Sequence, residues 1–280
     1  MPLAHVLWQS VFYGFGLIAL ISFSFWTINN FQIAPAFSFE NYRAIIGGNT
    51  YRDAMLQSLW LASTTAVFAV VFGLPLSHAI SAYVPLRLRL LVVFALFLPF
   101  FSNYVIRMFA WQQWLNENGM LPFLLRGIGV SGTPRLIYTL FAVRIGLLSV
   151  LLPIATLMIY LSIARMDKTL LPAARNLGAS AGQAFRYVTF PHSFPGIATA
   201  FVFSFIIAFG DFIAPSVLGG NQTYLLSTLV EDRVRINDWP TAAALGAIMI
   251  LFCVLLISVV FGALGFGQGE IRKIWSNPRA

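Results

Sequence analysis

Three ionisable side chains fall inside long apolar segments of this chain: Arg107, Arg144 and Asp211. A charge at the centre of a bilayer costs roughly 2.5–3.5 kcal/mol on insertion scales, so such residues pair, face a cavity or mark a transport path. Counted along helical spans at about 1.5 Å per residue, all three lie in the outer half. Shared depth allows Asp211 to pair with one of the arginines. A structural pair, or snorkelling to the interface, is the plain reading; the functional one is that they line the outer part of a translocation path. A second stretch stands out, Asp167 to Pro191 (DKTLLPAARNLGASAGQAFRYVTFP). It is the most polar run between two apolar segments, and it carries Lys168, Arg175 and Arg186 with Arg165 just ahead.

Other chemistry is not expected. There is no Walker-type glycine loop, so the chain is not expected to bind ATP itself. His5, His78 and His192 are too scattered in sequence for metal-ligand spacing. Cys253, the single cysteine, lies in an apolar span with no evident base and reads as buried and inert. No serine is expected to stand in a Gly-x-Ser-x-Gly elbow. His78, near the end of a span, reads as a capping or packing histidine.

The composition says what must position these residues. Hydrophobic residues make up 59% and charged residues 9% of the 280, far from the globular balance. The chain reads as one all-α integral membrane domain over residues 1–280. Six apolar segments reach the roughly 20 residues a span needs: near 6–28, 56–82, 88–112, 136–164, 193–215 and 241–265. Helices are required because unpaired backbone is too costly in lipid. The first segment lacks a small-residue cleavage site and is expected to remain as an anchor. Pro75 and Pro99 are expected to kink the second and third spans. Leu121, Phe123, Leu124 and Leu125 suggest a short helix on the membrane surface, in a loop that also holds Gly132 and Pro134. Asp238 or Asn237 can cap the last span, with Pro240 in its first turn.

The stretch 167–191 reads as two short helices around a corner. Thr169 is placed as N-cap, which puts Pro172 at the third helical position, where its missing N–H is not needed. Gly178 suits the left-handed position after the first helix. Ser180 caps a second helix, expected to stop before Pro191. Charge sets the orientation. Arg87, Arg89, Arg165, Lys168, Arg175, Arg186, Arg272, Lys273 and Arg279 gather in short loops or the tail on one side. Arg43, Arg52, Arg126, Arg135, Arg233 and Arg235 are spread over longer loops on the other. By the positive-inside rule the hook and both termini are cytosolic. The formal charge of +8 is thereby assigned to topology and membrane lipid, not to nucleic acid.

Pro172-Ala173-Ala174, Gly178 and Val188-Thr189-Phe190-Pro191 resemble the EAA signature of binding-protein-dependent ABC-importer permeases: Glu-Ala-Ala, three residues, Gly, nine residues, Ile-x-Leu-Pro. The spacing matches throughout, with Pro172 where the family carries Glu. The stretches PFFSNYVIRMFAWQQWL and IIAFGDFIAPSVLGG are similar to the spermidine/putrescine branch. The resemblance implies a coupling hook at about 165–191, between the fourth and fifth of six helices, that docks in a groove of a cytosolic ATPase through Pro172, Ala173, Ala174, Gly178, Ala179 and Pro191. It implies an ATP-binding subunit dimer carrying ATP and Mg, a second homologous permease, an external solute-binding protein and a bacterial inner-membrane location. This chain would be half a path and not an enzyme. Polyamine is the expected solute. Arg144 keeps open an anionic or zwitterionic amine of the opine or aminophosphonate type, and a stand-alone carrier or channel is the reading from another class.

Overall fold

Small residues recur every three or four positions along the apolar segments, and in a membrane such stripes let helices approach closely. The computed structural model describes residues 2–29, 32–129, 135–167, 169–220 and 223–276, with side chains for 8–28, 32–129, 135–167, 169–220 and 223–263. The expectations placed on Lys168, Gly132, Pro134 and Arg279, and on the side chains of His5, Arg272 and Lys273, lie outside these. In order, the elements are α1 (Pro2–Ser24), a hairpin of β1 (Thr27–Asn29) and β2 (Gln32–Ala34), α2 (Glu40–Gly47), α3 (Asn49–Tyr83) and α4 (Leu86–Phe97). They continue with α5 (Tyr104–Leu115), α6 (Met120–Gly127), α7 (Leu140–Ala164), α8 (Leu170–Asn176), α9 (Ala181–Ala184), α10 (Phe190–Gly210), α11 (Leu226–Arg235) and α12 (Trp239–Ser276).

The core is a three-helix cluster of α3, α7 and α10. Ala62, Ala66, Ala69 and Gly73 form the buried stripe of α3. A Cβ on Gly73 would sit 3.2 Å from the Thr156 backbone nitrogen of α7, and one on Gly196 of α10 would sit 2.5 Å from Ser162 Cβ. These contacts fix the close approach of the three axes. Helix α1 packs on α12, which otherwise presents apolar side chains outward: Leu251, Val254, Leu255 and Val259 are exposed.

Four described helices are long and apolar enough to cross a membrane: α3, α7, the continuous run Ala181–Gly210, and Trp239–Ala263 of α12. Helix α1 is shorter in its described apolar part, Trp8–Ser24. The third expected span is not one kinked helix. It is two pieces, Leu86–Phe101 and Tyr104–Gly127, bent by 86°. Pro99 lies in a tight turn of 3₁₀ helix (Leu98–Phe101); Ser102 then leaves the helix, and Asn103 restarts it by accepting from the Val105 and Ile106 N–H groups at 2.8 and 3.4 Å. Pro75, by contrast, lies inside an uninterrupted α3. The surface helix expected near 121–125 is present as α6. The loops at 29–55 and 216–239 hold more structure than expected. The first contains the hairpin, α2 and the start of α3, and the second contains α11. Short polar helices give no long apolar signal to read. At the entrance to α12, Asp238 Oδ1 accepts from Thr241 N–H at 3.2 Å, as expected of a cap.

Candidate functional site

The hook begins where α7 ends. Asp167 Oδ1 accepts from the N–H and hydroxyl of Thr169, at 2.9 and 2.8 Å. These bonds hold the exposed Asp167 carboxyl below the ordinary carboxylate range. Thr169 occupies the N-cap position of α8, but its side chain does not cap; Asp167 replaces it. Pro172 is the third helical residue, and the first intrahelical bond after it runs from Ala173 N–H to Thr169 C=O at 3.0 Å. The exit is a Schellman turn. Ala179 N–H reaches Ala174 C=O at 3.0 Å, and Gly178 N–H reaches Arg175 C=O at 2.9 Å. Gly178 has φ +84°, the left-handed conformation expected of it.

Ser180 then opens α9 with a complete capping box. Gln183 N–H donates to Ser180 Oγ at 3.3 Å, and Ser180 N–H donates to Gln183 Oε1 at 2.8 Å. Gly178-Ala179-Ser180-Ala181-Gly182 does have Gly-x-Ser-x-Gly spacing, contrary to expectation. A helix and not a strand precedes it, and the Ser180 hydroxyl is used as a cap.

The second hook helix does not stop before Pro191. A wide π turn, Phe185–Thr189, carries α9 directly into α10. Phe190 N–H bonds Phe185 C=O across it, and Pro191, which has no N–H to give, follows directly, where the widened π turn takes up the missing bond. Hook and membrane helix are therefore one rod of 30 residues, Ala181–Gly210. Ala173, Ala174, Gly178 and Ala179 lie on the corner that tips this rod, and Leu177 beside them is 90% exposed. His78 packs edge-on against Phe185, ring centroids 4.9 Å apart. The end of α3, the Arg87 turn and the hook thus share one end of the molecule. Arg89 closes the end of α3 by donating to Val84 C=O at 2.9 Å and Ser81 C=O at 2.5 Å.

The three expected path residues lie toward the other end but do not pair with one another. Among the described residues the ion pairs are Arg233–Asp238 and Arg235–Glu231. Arg107 follows the 86° bend, so its expected distance along one straight span does not hold. Its guanidinium turns back to the Pro99 and Ser102 carbonyls and the Ser102 hydroxyl. Arg144 is one turn into α7. It donates to Thr64 Oγ1 at 3.1 Å and lies over the Phe68 ring, 5.7 Å from its centre. Asp211 caps the break after α10. Tyr104 donates its hydroxyl to Asp211 Oδ2 at 2.6 Å, and Ala214 and Ile213 N–H groups donate at 3.1 and 3.3 Å. Ser227 of α11 donates to the Asp211 carbonyl at 2.8 Å. A neutral phenol thus takes the place expected of an arginine.

Tyr104 and Ser227 were not expected at this site. A tyrosine in an apolar run carries no signal of its own, but Ser102-Asn103 after a proline is an N-cap signal that marks the break. Between the segment after α10 and α11, Ser216, Tyr224, Thr228, Glu231, Asp232 and Arg235 border an open cavity of about 380 Å³. Among the described residues no group of three or more His, Cys, Asp or Glu could hold a metal ion.

Residues 69–266 match the family model described as "Binding-protein-dependent transport system inner membrane component". The chain belongs to that family. It is therefore a permease, a multi-pass inner-membrane component of an ABC importer. This permease is 31% identical over 259 residues to the spermidine/putrescine transport system permease protein PotB of Escherichia coli (strain K12), covering 91% of this chain and 94% of that protein. It is 26% identical over 272 residues to the inner membrane ABC transporter permease protein YdcU of the same strain, covering 92% and 87%. The fold matches a chain in the crystal structure of a bacterial ABC transporter involved in the import of the acidic polysaccharide alginate, with TM-score 0.76 and 19% identity, covering 96% of this chain and 93% of that one.

Proposed function

We propose that this permease forms half of the translocation path of an ATP-driven importer of polyamines, of the spermidine/putrescine class. The similarity to PotB across 91% of the chain carries the reading, and it favours a polyamine over an anionic or zwitterionic amine and over a stand-alone carrier. ATP and Mg are assigned to a separate dimer of ATP-binding subunits, so the chain itself is a transport subunit and not an enzyme. A second homologous permease completes the path, and an external solute-binding protein delivers the solute. Both termini are cytosolic in this reading, which the clustering of basic residues supports.

The coupling role is assigned to Pro172, Ala173, Ala174, Gly178, Ala179 and Pro191. The exposed corner and the unbroken rod behind it support that role. A groove that grips the corner moves α10 with it, because a helix transmits displacement along its axis without slack. ATP and solute then act on one equilibrium by stabilising different states of it.

The deciding experiment reconstitutes the permease with its ATPase, second permease and binding protein in liposomes. ATP-dependent uptake of radiolabelled spermidine or putrescine is expected. ATP-independent uptake by the lone chain, or uptake of anions but not polyamines, would overturn the proposal.

A further inference from the structure

Two breaks in the helical ladder lie side by side in this molecule. The first is the elbow between α4 and α5, Leu98–Asn103. The second is at Asp211 and Phe212 after α10, followed by a short π-type helix, Pro215–Gly219. The Tyr104–Asp211 hydrogen bond at 2.6 Å ties one to the other, and Gln112 of α5 reaches the Val217 carbonyl at 3.4 Å.

Both breaks fall at similar depth. Taken along the membrane normal, α4 rises about 18 Å from Leu86 to Phe97 and its 3₁₀ turn about 8 Å more. From Phe190 to Gly210, α10 rises about 31 Å. With Leu86 and Phe190 set at the inner face of a hydrocarbon layer about 30 Å thick, the elbow falls inside its outer part and Asp211 at its outer edge.

Irregular backbone at that depth is tolerated only where protein buries it or water reaches it. This chain does not bury the elbow. No residue of α4 or of the 3₁₀ turn is buried, Phe101 is 77% exposed, and Ser102 and Asn103 are exposed. Polar side chains meet the freed backbone groups on this exposed surface. Arg107 covers the Pro99 and Ser102 carbonyls from one side, and Asn103 caps α5. The outward face of α12 is also uncovered, but its helix is unbroken, so no freed backbone group there needs water. That face suits lipid; the elbow does not.

We infer that the elbow, joined to the Asp211 turn, is a water-filled wall of the translocation path, with Phe101, Ser102 and Asn103 facing passing solute. The inference rests on the permease reading and locates the outer path on this chain. Phe101, 77% exposed, offers an aromatic face, which suits a hydrated organic cation.

Accessibility of introduced thiols in the assembled importer tests it. Cys253→Ser removes the native thiol. Phe101→Cys and Ser102→Cys are then placed singly, with Val254→Cys and Val259→Cys on α12 as references. The probe is a membrane-impermeant, quaternary-ammonium methanethiosulfonate added to reconstituted vesicles. Modification at 101 and 102 is expected at least about ten-fold faster than at 254 and 259, and slower with spermidine and binding protein present. Rates equal to those of the α12 references would overturn the inference. So would fast labelling of the lone chain that vanishes in the assembled complex, which would mean a dry subunit interface. Labelling needs neither ATP nor an identified solute. Slow labelling with intact polyamine uptake would strike this inference alone; absent uptake with fast labelling would strike only the polyamine reading.

Discussion

Asp211 is held by donors from three directions: the Tyr104 hydroxyl, two backbone N–H groups of the turn that follows it, and, on its carbonyl, the Ser227 hydroxyl. A half-buried carboxylate satisfied by neutral donors needs no counter-charge, which is why neither arginine approaches it. Tyr104→Phe removes one donor and keeps the ring. Leaving a buried acceptor short costs about 1–3 kcal/mol, so a lower thermal midpoint in detergent is expected, and an unchanged midpoint would show that the bond carries no weight. Asp167 offers a pH-dependent counterpart at the hook. Its carboxyl lies below the ordinary range because Thr169 donates twice to the charged form. The cap is therefore fully present at neutral pH and is lost only as pH falls through that lowered value. Thr169→Val removes one donor, so the carboxyl should titrate closer to the ordinary range. Hydrogen exchange at Leu171 and Ala173, corrected for intrinsic rate, should then rise at a higher pH than in the unaltered protein; an unshifted onset would assign the cap elsewhere.

At the scale of elements, the hook corner depends on one residue for its turn and on one helix for its reach. A Cβ at Gly178 would touch nothing within 4 Å, so its substitution is limited by the backbone at φ +84° and not by crowding. The left-handed conformation costs a β-branched residue roughly 1–2 kcal/mol, while Asn adopts it readily. Gly178→Val is expected to reduce uptake and solute-stimulated ATP hydrolysis while the protein stays in the membrane, and Gly178→Asn to retain most of both. Equal activity in the two variants would remove the corner from the coupling role. Gly196 is the opposite case. Its added Cβ would meet Ser162 Cβ at 2.5 Å and the Met158 carbonyl at 3.0 Å. Gly196→Val should push α10 from α7 and lower stability by about 1–3 kcal/mol, read as reduced folded yield by fluorescence-detected size exclusion.

For the molecule as a whole, the notable surface is the one this chain leaves bare. Helix α4 buries no residue, and Leu90, Leu91 and Phe94 are exposed along it. Helices α3, α7 and α10 pack as a core through small residues and α5 adds the buried Met108, whereas α4 buries no side chain against them. A second permease chain is the proposed cover. Coexpression with it should raise the thermal midpoint of this chain by several degrees, and no change would argue against that arrangement. Pro172→Glu is expected to be tolerated, because the corner that presents position 172 is built by Asp167, Gly178 and Ser180. Failure of the complex to assemble would show that the partner groove depends on proline.

The membrane class, the spans near α3, α7, α10 and α12, the left-handed Gly178, the Ser180 cap and the entry to α12 were all legible in the order of residues. Each follows from local rules: apolar length, side-chain capping, and the few residues that tolerate unusual backbone. The partners of the intramembrane charges were decided only by tertiary structure. Asp211 and Tyr104 are 107 residues apart, and Arg144 and Thr64 are 80 apart, so no window of sequence contains either pair. The elbow and the uninterrupted rod were decided there too. A proline permits a kink, a break or a π turn, and the choice among them rests on which neighbour can take up the freed backbone groups. At Pro99 these were Arg107 and Ser102; at Pro191 the π turn itself absorbed the mismatch.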